Sequence, residues 1–268
     1  MASSEIIQFF DSKGNPVSFP RAKIPYETKS VFKRFSIPEG IELRKDIKHE
    51  FYPVFGKTFS EVVRSTEENG PRNIKENKHY KSKLEWKFGW SYKFRHTQKP
   101  DIESQDEEKP EDADQHDEEL VEESRYDQAH DEENKTLNVA LDIYDINISY
   151  DISITLPTLL DDSALNPIEK SMWKNYLQKI INYEYDHVKI IEDLATKEAI
   201  IKSIKDIDYI VFDFKKDVDI EKVAESFLRD ETAKLGRYWA DRIKIRYDEY
   251  NRATQYGLKP ELRESFFK

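Results

Sequence analysis

The 268-residue sequence contains no cysteine. This absence excludes disulfide bonds, thiolate metal sites and a cysteine nucleophile. Long apolar runs are missing as well: the N-terminal stretch MASSEIIQFFDSKGNPVSF has no basic region followed by a run of apolar residues, and no later stretch is long enough to span a membrane. The sequence therefore predicts a soluble, cytoplasmic protein that lacks a signal peptide and does not associate with membranes.

Basic residues are scarce in one segment, residues 101–133, which contains 17 Asp and Glu but only one Lys and one Arg. Since the whole chain has a net charge of -11, the local charge of -15 leaves about +4 for the other residues. The segment has few apolar side chains that could offset its ordering entropy, so we predict a disordered acidic insertion over residues 97–134. It serves either solubility alone or the docking of a basic partner.

Strict alternation of apolar and polar residues predicts long strands on both sides of this insertion. LEWKFGWSYKF, residues 84–94, places aromatic residues on one face and mainly charged residues on the other. TLNVALDIYDINISYDISITLP, residues 136–157, alternates with a change of phase near Asp145, which indicates a bulge or a tight turn. The insertion is therefore expected to be a loop between neighbouring antiparallel strands.

Shorter elements are predicted upstream of these strands. IIQFFDSKGNPVSF is typical of a hairpin that turns at Gly14, whereas residues 20–48 show no period and are interpreted as a lightly structured arm. A short strand near Tyr52 follows, and then a helix that begins near Ser60 and ends at Gly70, which a proline follows.

Two long amphipathic helices are predicted in the second half of the chain. The first extends over residues 167–204, with Asn166 as its cap and a proline at its first position, and the second over residues 219–254. The core stripe of the first helix is expected to contain Trp173, Leu177, Ile180, Glu184, His187, Ile191 and Leu194. That of the second is expected to contain Val223, Phe227, Leu235, Trp239, Ile243, Tyr247 and Tyr250.

Glu184 and His187 thus occupy core positions, where unpaired polar groups are costly. In a structural interpretation, tyrosine, arginine or backbone groups in the helix interface supply their partners. In a functional interpretation, the two residues are the remainder of a His-Glu-x-x-His motif, in which two histidines bind zinc and the glutamate activates the metal-bound water. Tyr183 stands at the position of the first histidine.

Four stretches carry a family resemblance, in the order HEFYPVFGKTFSEVVRSTEENGPRNIKENKHYKSKLEWKFGWSYKF, ITLP, MWKNYLQKIINYEYDH and YNRATQYG. They resemble a bacterial family of unknown function whose members are predicted secreted zinc-dependent proteases with a zincin-like fold. The similarity extends over roughly residues 49–257 and is interrupted by the acidic insertion. In that family the helix carries His-Glu-x-x-His, and the C-terminal segment reads approximately Tyr-Asp-x-x-Thr-x-His-Gly. Its histidine is the expected further zinc ligand.

Transferred position by position, the resemblance keeps Glu184 and His187 but puts Tyr183 in place of the first histidine. In the C-terminal motif Asn251 replaces the acid and Tyr256 replaces the histidine. The positions that agree are Tyr250, Thr254 and Gly257. A catalytic zinc has three protein ligands, and a phenol with a pKa of about 10 must lose its proton before it binds a metal. The resemblance therefore implies a degenerate site with no bound cofactor.

The expected fold is α+β, with an antiparallel sheet and one short helix in the N-terminal half packed on a pair of long helices in the C-terminal half, in a zincin-like arrangement. We expect an N-terminal hairpin and arm over residues 1–48, a single domain over residues 49–258 that the acidic insertion interrupts, and a C-terminal tail over residues 259–268.

The expected function is that of a non-catalytic relative of zinc proteases, which acts by binding another protein or by self-assembly. Tyr183, Glu184, His187 and Tyr256 would form a hydrogen-bonded cluster that fills the former metal site, with Asn251 beside them. Nucleic acid is not an expected partner, because the basic residues outside the insertion are scattered and the strand aromatics fit a core.

The alternative is an active zinc peptidase. Glu184 would then be the general base and His187 a metal ligand, and Tyr256, Asp186 or Asp248 would complete the coordination sphere. Metal content distinguishes the two hypotheses, because only the peptidase requires zinc.

Overall fold

The computed structural model describes residues 4–18, 37–73, 77–98, 135–214 and 218–267. The strands are β1 (Ser4–Asp11), β2 (Pro16–Val17), β3 (Lys48–Val54), β4 (Arg72–Asn73), β5 (Lys78–His79), β6 (Lys83–Gln98), β7 (Lys135–Leu159) and β8 (Tyr209–Phe214). The helices are α1 (Phe59–Asn69), α2 (Pro167–Ile191), α3 (Leu194–Lys205), α4 (Ile220–Ala253) and α5 (Arg263–Phe266), with a 3-10 turn at Pro260–Leu262. The predicted α+β class, with a long helix pair in the C-terminal half, is confirmed.

One sheet contains six of the strands, in the order β2-β1-β6-β7-β3, and β8 also pairs with β7. The prediction of a purely antiparallel sheet is wrong at one edge, because β3 runs parallel to the end of β7, with Lys48 opposite Ser153 and Val54 opposite Leu159. Parallel neighbours need a long crossover, which α1, β4, β5 and β6 provide here. Alternation along β3 shows which side chains are buried but does not determine the direction of its neighbour.

The pair β6 and β7 forms the centre of the sheet. Their antiparallel pairing confirms that the acidic insertion connects neighbouring antiparallel strands. The register shifts between Ser91 and Lys93, and Asp145 opposite this point has a φ of 51°, so the predicted irregularity near Asp145 is a bulge. The disorder predicted for the insertion lies outside the described residues, as does most of the predicted arm.

The N-terminal hairpin belongs to this sheet. Each residue of β1 pairs with β6, and Ile6 and Phe10 are fully buried beneath the helices. The predicted boundary at residue 49 therefore does not separate the hairpin from the domain. The predicted turn is present: Gly14 has a φ of 74°, and Asp11 accepts hydrogen bonds from the backbone N–H groups that follow it.

Helix α2 begins as predicted but ends early. Asn166 and Glu169 exchange side-chain and backbone hydrogen bonds in a capping box. The helix ends at Ile191, and Asp193 caps a separate helix, α3, by accepting a hydrogen bond from the N–H of Thr196. The prediction of one continuous helix to residue 204 is therefore wrong, because an Asp side chain competes for backbone N–H groups. Leu194, which was expected in the core stripe, is 67% exposed.

Of two shorter elements, the sequence predicted α1 but not β8. Helix α1 ends one residue before Gly70, as the Gly-Pro signal predicts. Strand β8 was not predicted: its six residues lie between two helices, and among the four whose side chains the structure describes, Tyr209 to Phe212, only Ile210 is deeply buried.

Two of the residues expected in the core stripe of α4, Ile243 and Tyr250, are buried, but the helix otherwise packs against β1 and α2 mainly through smaller residues than expected. The residues buried along its length are Ala224, Leu228, Thr232, Gly236, Ala240, Ile243 and Tyr250. Phe227 and Trp239 lie beside this stripe and are only partly buried. The helix approaches β1 so closely that a Cβ atom at position 236 would lie 2.3 Å from Cε1 of Phe10. A stripe of small residues permits this approach, and the larger neighbours close its sides.

The C-terminal residues predicted to be a tail form the 3-10 turn and α5, and α5 packs against α4. None of the helices in the described ranges combines the length and the apolar character that crossing a membrane requires. The C-terminal half therefore covers the sheet with a helical layer that α5 extends.

Replacing Gly236 with alanine tests this close approach. Helix propensity alone would favour alanine by about 1 kcal/mol, but overpacking against the fully buried Phe10 costs about 1–3 kcal/mol. We expect Gly236→Ala to lower the free energy of unfolding, measured by urea denaturation. Ser226→Ala, on the exposed face of α4, is the control and should change it by less than about 0.5 kcal/mol. A more stable Gly236→Ala variant would contradict the packing.

Candidate functional site

The candidate site lies between the C-terminal halves of α2 and α4. Glu184 and His187 project from α2 into this interface, where they are only 3% and 1% exposed. The prediction that both side chains point inward is confirmed. Tyr247 and Asn251 of α4 lie opposite them, because both helices pack on the same sheet and meet at this end.

A continuous chain of hydrogen bonds joins these side chains. The carbonyl Oδ1 of Asn251 accepts a hydrogen bond from the Tyr183 hydroxyl at 2.5 Å and lies 2.8 Å from Nε2 of His187, which must donate to it because a carbonyl oxygen only accepts. Nδ1 of His187 lies 3.3 Å from Oε2 of Glu184. The other carboxyl oxygen of Glu184 accepts a hydrogen bond from the hydroxyl of Ser82, immediately before β6.

Both ring nitrogens of His187 have partners within the protein, Nε2 in Asn251 and Nδ1 in Glu184. Buried polar groups are stable only when they are hydrogen-bonded, and these two partners account for both polar atoms of the imidazole.

Tyrosine rings surround the imidazole. The ring of His187 stacks on Tyr247 with the centroids 3.8 Å apart, and it meets Tyr183 and Tyr250 edge to face at 4.5 and 5.1 Å. Burial and then the neighbouring Glu184 raise the pKa of Tyr183 and of Tyr247 above the ordinary value for tyrosine. Both phenols therefore keep their protons at neutral pH and act as hydrogen-bond donors rather than as anionic ligands.

Tyr256 does not take part in this cluster as the sequence led us to expect. Its side chain is 72% exposed, because α4 ends at Ala253 and the chain then turns through three residues with positive φ. Asn251, in the last turn of α4, takes the expected place between Tyr183 and His187. The end of the helix, which spacing alone does not reveal, separates Asn251 from Tyr256.

Asp186 forms a second buried cluster on the neighbouring face of α2. Its side chain is 2% exposed and accepts hydrogen bonds from the Tyr250 hydroxyl at 2.6 Å, from Lys189 Nζ at 3.1 Å and from Nε of Arg263. Burial by itself raises the pKa of Asp186, but the hydrogen bonds from Arg263, Tyr250 and Lys189 outweigh it, so the pKa is lowered overall. Asp186 is therefore a carboxylate at neutral pH.

Sequence reasoning did not identify Ser82 or Arg263 as members of these clusters. Ser82 lies in the first of the four resembling stretches, in which no site residue was predicted, and Arg263 lies in the region predicted to be a tail. Tyr247 was recognised only as part of the apolar stripe of α4. No local sequence pattern around Arg263 predicts that it pairs with a carboxylate 77 positions earlier.

The donor set of the candidate site does not fit a zinc ion. Within the part of the chain that the structure describes, no group of three or more His, Asp or Glu side chains could hold a metal. His187 uses both ring nitrogens in hydrogen bonds, and Tyr183 remains a phenol. Of the carboxylates considered for the peptidase alternative, Asp186 is bound to Arg263 and Asp248 is exposed.

Two surface pockets lie away from the cluster. One, of about 460 Å³, lies between residues 141–146 of β7 and Ile201 and Lys205 of α3. The other, of about 200 Å³, lies between α3 and α4 beside Trp239 and Arg242. Neither pocket includes a residue of the hydrogen-bonded cluster, so neither gives a substrate access to it.

No protein-family model matches the chain, and neither a curated protein nor a solved structure matches it. Fold and site together define an α+β protein with a buried Tyr-Glu-His-Asn cluster between two helices. The resemblance to zinc-dependent proteases therefore depends on the sequence motifs alone.

Asp186→Asn tests the electrostatic role of Asp186. A carboxyl group with a lowered folded pKa stabilises the fold above its unfolded pKa of about 3.9, and this stabilisation is lost as the pH falls through the folded value. At pH 7 we expect Asp186→Asn to reduce the free energy of unfolding by about 2 kcal/mol. The difference from the unsubstituted protein should shrink below about pH 4.

Denaturation with urea at several pH values measures this dependence. Asp248→Asn, at an exposed position of α4, is the matched control and should change the free energy of unfolding by less than about 0.5 kcal/mol. A difference for Asp186→Asn that stays constant from pH 7 to pH 3 would contradict the assignment of a stabilising carboxylate.

Proposed function

We propose that this chain is a degenerate, non-catalytic relative of zincin-like zinc proteases that acts by binding another protein or by self-assembly. The observation that carries the proposal is the closed hydrogen-bond chain from Ser82 through Glu184, His187 and Asn251 to Tyr183. On the proposed kinship, this chain of hydrogen bonds fills the place of the metal-bound water.

Catalysis by this cluster would require groups that are free to engage a substrate. A general base must reach a water molecule or a substrate proton, and a metal ligand needs a free lone pair. Glu184 has one carboxyl oxygen bonded to Ser82 and the other facing His187, and both groups are almost fully buried. The cluster is therefore arranged as a structural element between the two helices.

The relative position of the two motif segments supports the proposed kinship. The resemblance aligns the helix of Tyr183 and His187 with one metal-binding motif and the segment from Tyr250 to Gly257 with another. These segments are in contact: Asn251 bonds to both Tyr183 and His187, and a Cβ atom at Gly257 would lie 2.9 Å from the Tyr183 ring. If the two motif matches were coincidental, contact between the two segments would not be expected.

An exposed apolar patch supports the protein-binding role. Phe55, Leu160, Ile168 and Met172 are all exposed, Ile168 at 73%. The ends of β3 and β7 are joined by a hydrogen bond from the N–H of Leu160, and the start of α1 is bonded to the first turn of α2, so these four side chains come from elements that meet. Clustered exposed apolar residues mark interaction surfaces on globular proteins.

Metal analysis and a peptidase assay on the purified chain test the non-catalytic role. We expect no stoichiometric zinc and no cleavage of unfolded protein substrates. His187→Ala should instead lower the free energy of unfolding by about 2–4 kcal/mol, because it removes one hydrogen-bond partner from each of the buried side chains of Asn251 and Glu184 and opens a cavity.

His96→Ala, at the opposite end of β6 from Ser82, serves as the matched control and should leave stability nearly unchanged. The proposal fails if the chain binds one zinc per molecule with peptidase activity, and if His187→Ala removes both while His96→Ala keeps them. That outcome would establish the alternative, with Glu184 as general base and His187 as ligand.

A further inference from the structure

The C-terminal segment, residues 258–267, lies back across α2 and α4. Arg263 is its polar anchor: Nε donates to the buried Oδ2 of Asp186, and Nη2 donates to the backbone carbonyl of Asn182 at 3.0 Å. The Tyr250 hydroxyl shares the same carboxylate oxygen. A guanidinium group is thus recognised by a buried carboxylate and a backbone carbonyl, an arrangement that selects arginine through several directed hydrogen bonds.

Aromatic contacts hold the rest of the segment. Phe266 meets Tyr250 edge to face with the centroids 5.2 Å apart, and Phe267 lies 5.8 Å from the same ring. Nζ of Lys189 lies 5.4 Å from the centroid of Phe267. Arg263, Phe266 and Phe267 therefore form a short motif that fits one surface, and this surface consists of residues from α2 and α4.

The connection between α4 and the C-terminal segment is strained. Gln255, Tyr256 and Gly257 have φ values of 50°, 56° and 79°, so all three are left-handed and two of them are not glycine. For a residue other than glycine, the left-handed conformation is roughly 5- to 30-fold less populated than the right-handed helical one. If these residues became helical, α4 would continue past Ala253 and carry the segment away from its own surface.

We propose that the C-terminal segment exchanges between two copies of the chain, so that Arg263 of one copy binds Asp186 of the other. Every contact of the closed form can be reproduced between copies, and only the strained hinge at residues 255–257 changes conformation. Short hinges under strain favour this type of exchange. The inference rests on the self-assembly part of the proposed function and identifies its partner as a second copy.

Exposed apolar residues agree with a second copy as the occupant. Tyr256 and Leu258, on either side of Gly257, and Leu262 in the 3-10 turn are all exposed in the closed form. In the exchanged dimer the straightened hinges of both copies lie next to each other, and these side chains can be buried between them. The closed form leaves them in water, where they contribute nothing to stability.

Complementary charge variants test the exchange in the full-length chain. In Asp186→Arg the side chains at positions 186 and 263 are both positive, and in Arg263→Asp both are negative. Like charges therefore face each other within one copy and within any dimer of identical copies. In a mixed dimer both exchanged pairs are again of opposite charge. We expect each variant alone to be monomeric by size-exclusion chromatography with light scattering, and an equimolar mixture to form a species of twice the monomer mass.

Glu264→Arg is the matched control, because Glu264 is exposed beside Arg263 in the same segment. A mixture of Asp186→Arg with Glu264→Arg should form no more of this species than Glu264→Arg forms alone. The exchange is overturned if the complementary mixture stays monomeric while both variants are folded by circular dichroism.

A second measurement decides the question if either charge variant does not fold. Substituting Gln255→Gly and Tyr256→Gly together relieves the left-handed strain in the closed form, so the dimer association constant should fall about tenfold or more relative to the unsubstituted chain. An equal association constant, or no dimer of the unsubstituted chain at high concentration, overturns the exchange. Zinc content measured on the same samples is independent of this result, so a failure of exchange and a failure of the non-catalytic role are distinguishable.

Discussion

The requirement that buried polar groups find hydrogen-bond partners determines how the C-terminal half of this protein is arranged. Helix α2 turns Glu184, Asp186 and His187 inward within a single turn, and each of them is at most 3% exposed. A partner is needed for each, because a buried polar atom without one costs about 1–3 kcal/mol and a buried charge costs more. The partners come from three separate parts of the chain: the residue before β6, the last turn of α4 and the C-terminal segment. These polar bonds fix the relative rotation of α2 and α4.

Apolar packing sets the distance at which these bonds can form. Gly236 lets α4 lie directly on the Phe10 ring, and the strand that carries Phe10 pairs along its whole length with β6. Ser82, the hydrogen-bond partner of Glu184, immediately precedes β6. The positions of the sheet, of α4 and of Ser82 are therefore coupled. Dispersion and burial hold the layers together without directional preference, whereas the hydrogen bonds of the cluster have directional requirements and select one register of the two helices.

Local patterns in the sequence predicted what depends on local physics. Alternation identified β6 and β7, the phase change identified the bulge at Asp145, and the Asn166 cap identified the start of α2. The inward orientation of Glu184 and His187 also followed from periodicity. Contacts between distant segments could not be predicted in this way: nothing near Ser82 or Arg263 specifies a partner about 80 to 100 positions away. The stripe of α4 was misjudged for a related reason, because hydrophobicity ranks Trp239 above Gly236, whereas close approach to the sheet requires the smaller residue.

Charge balance offers a physical reason for two of the differences from the protease motifs. A site with an acid at the Asn251 position and a glutamate at position 184 contains two carboxylates, which a divalent cation can neutralise. Without that cation, a single histidine would have to balance both carboxylates in a buried place, which is unfavourable. Asparagine keeps the acceptor oxygen and removes the charge, and Tyr183 supplies a donor to the same oxygen in place of an imidazole lone pair. The two replacements are complementary in hydrogen bonding and in charge, so on the proposed kinship they are best understood as a joint adaptation to a site without metal.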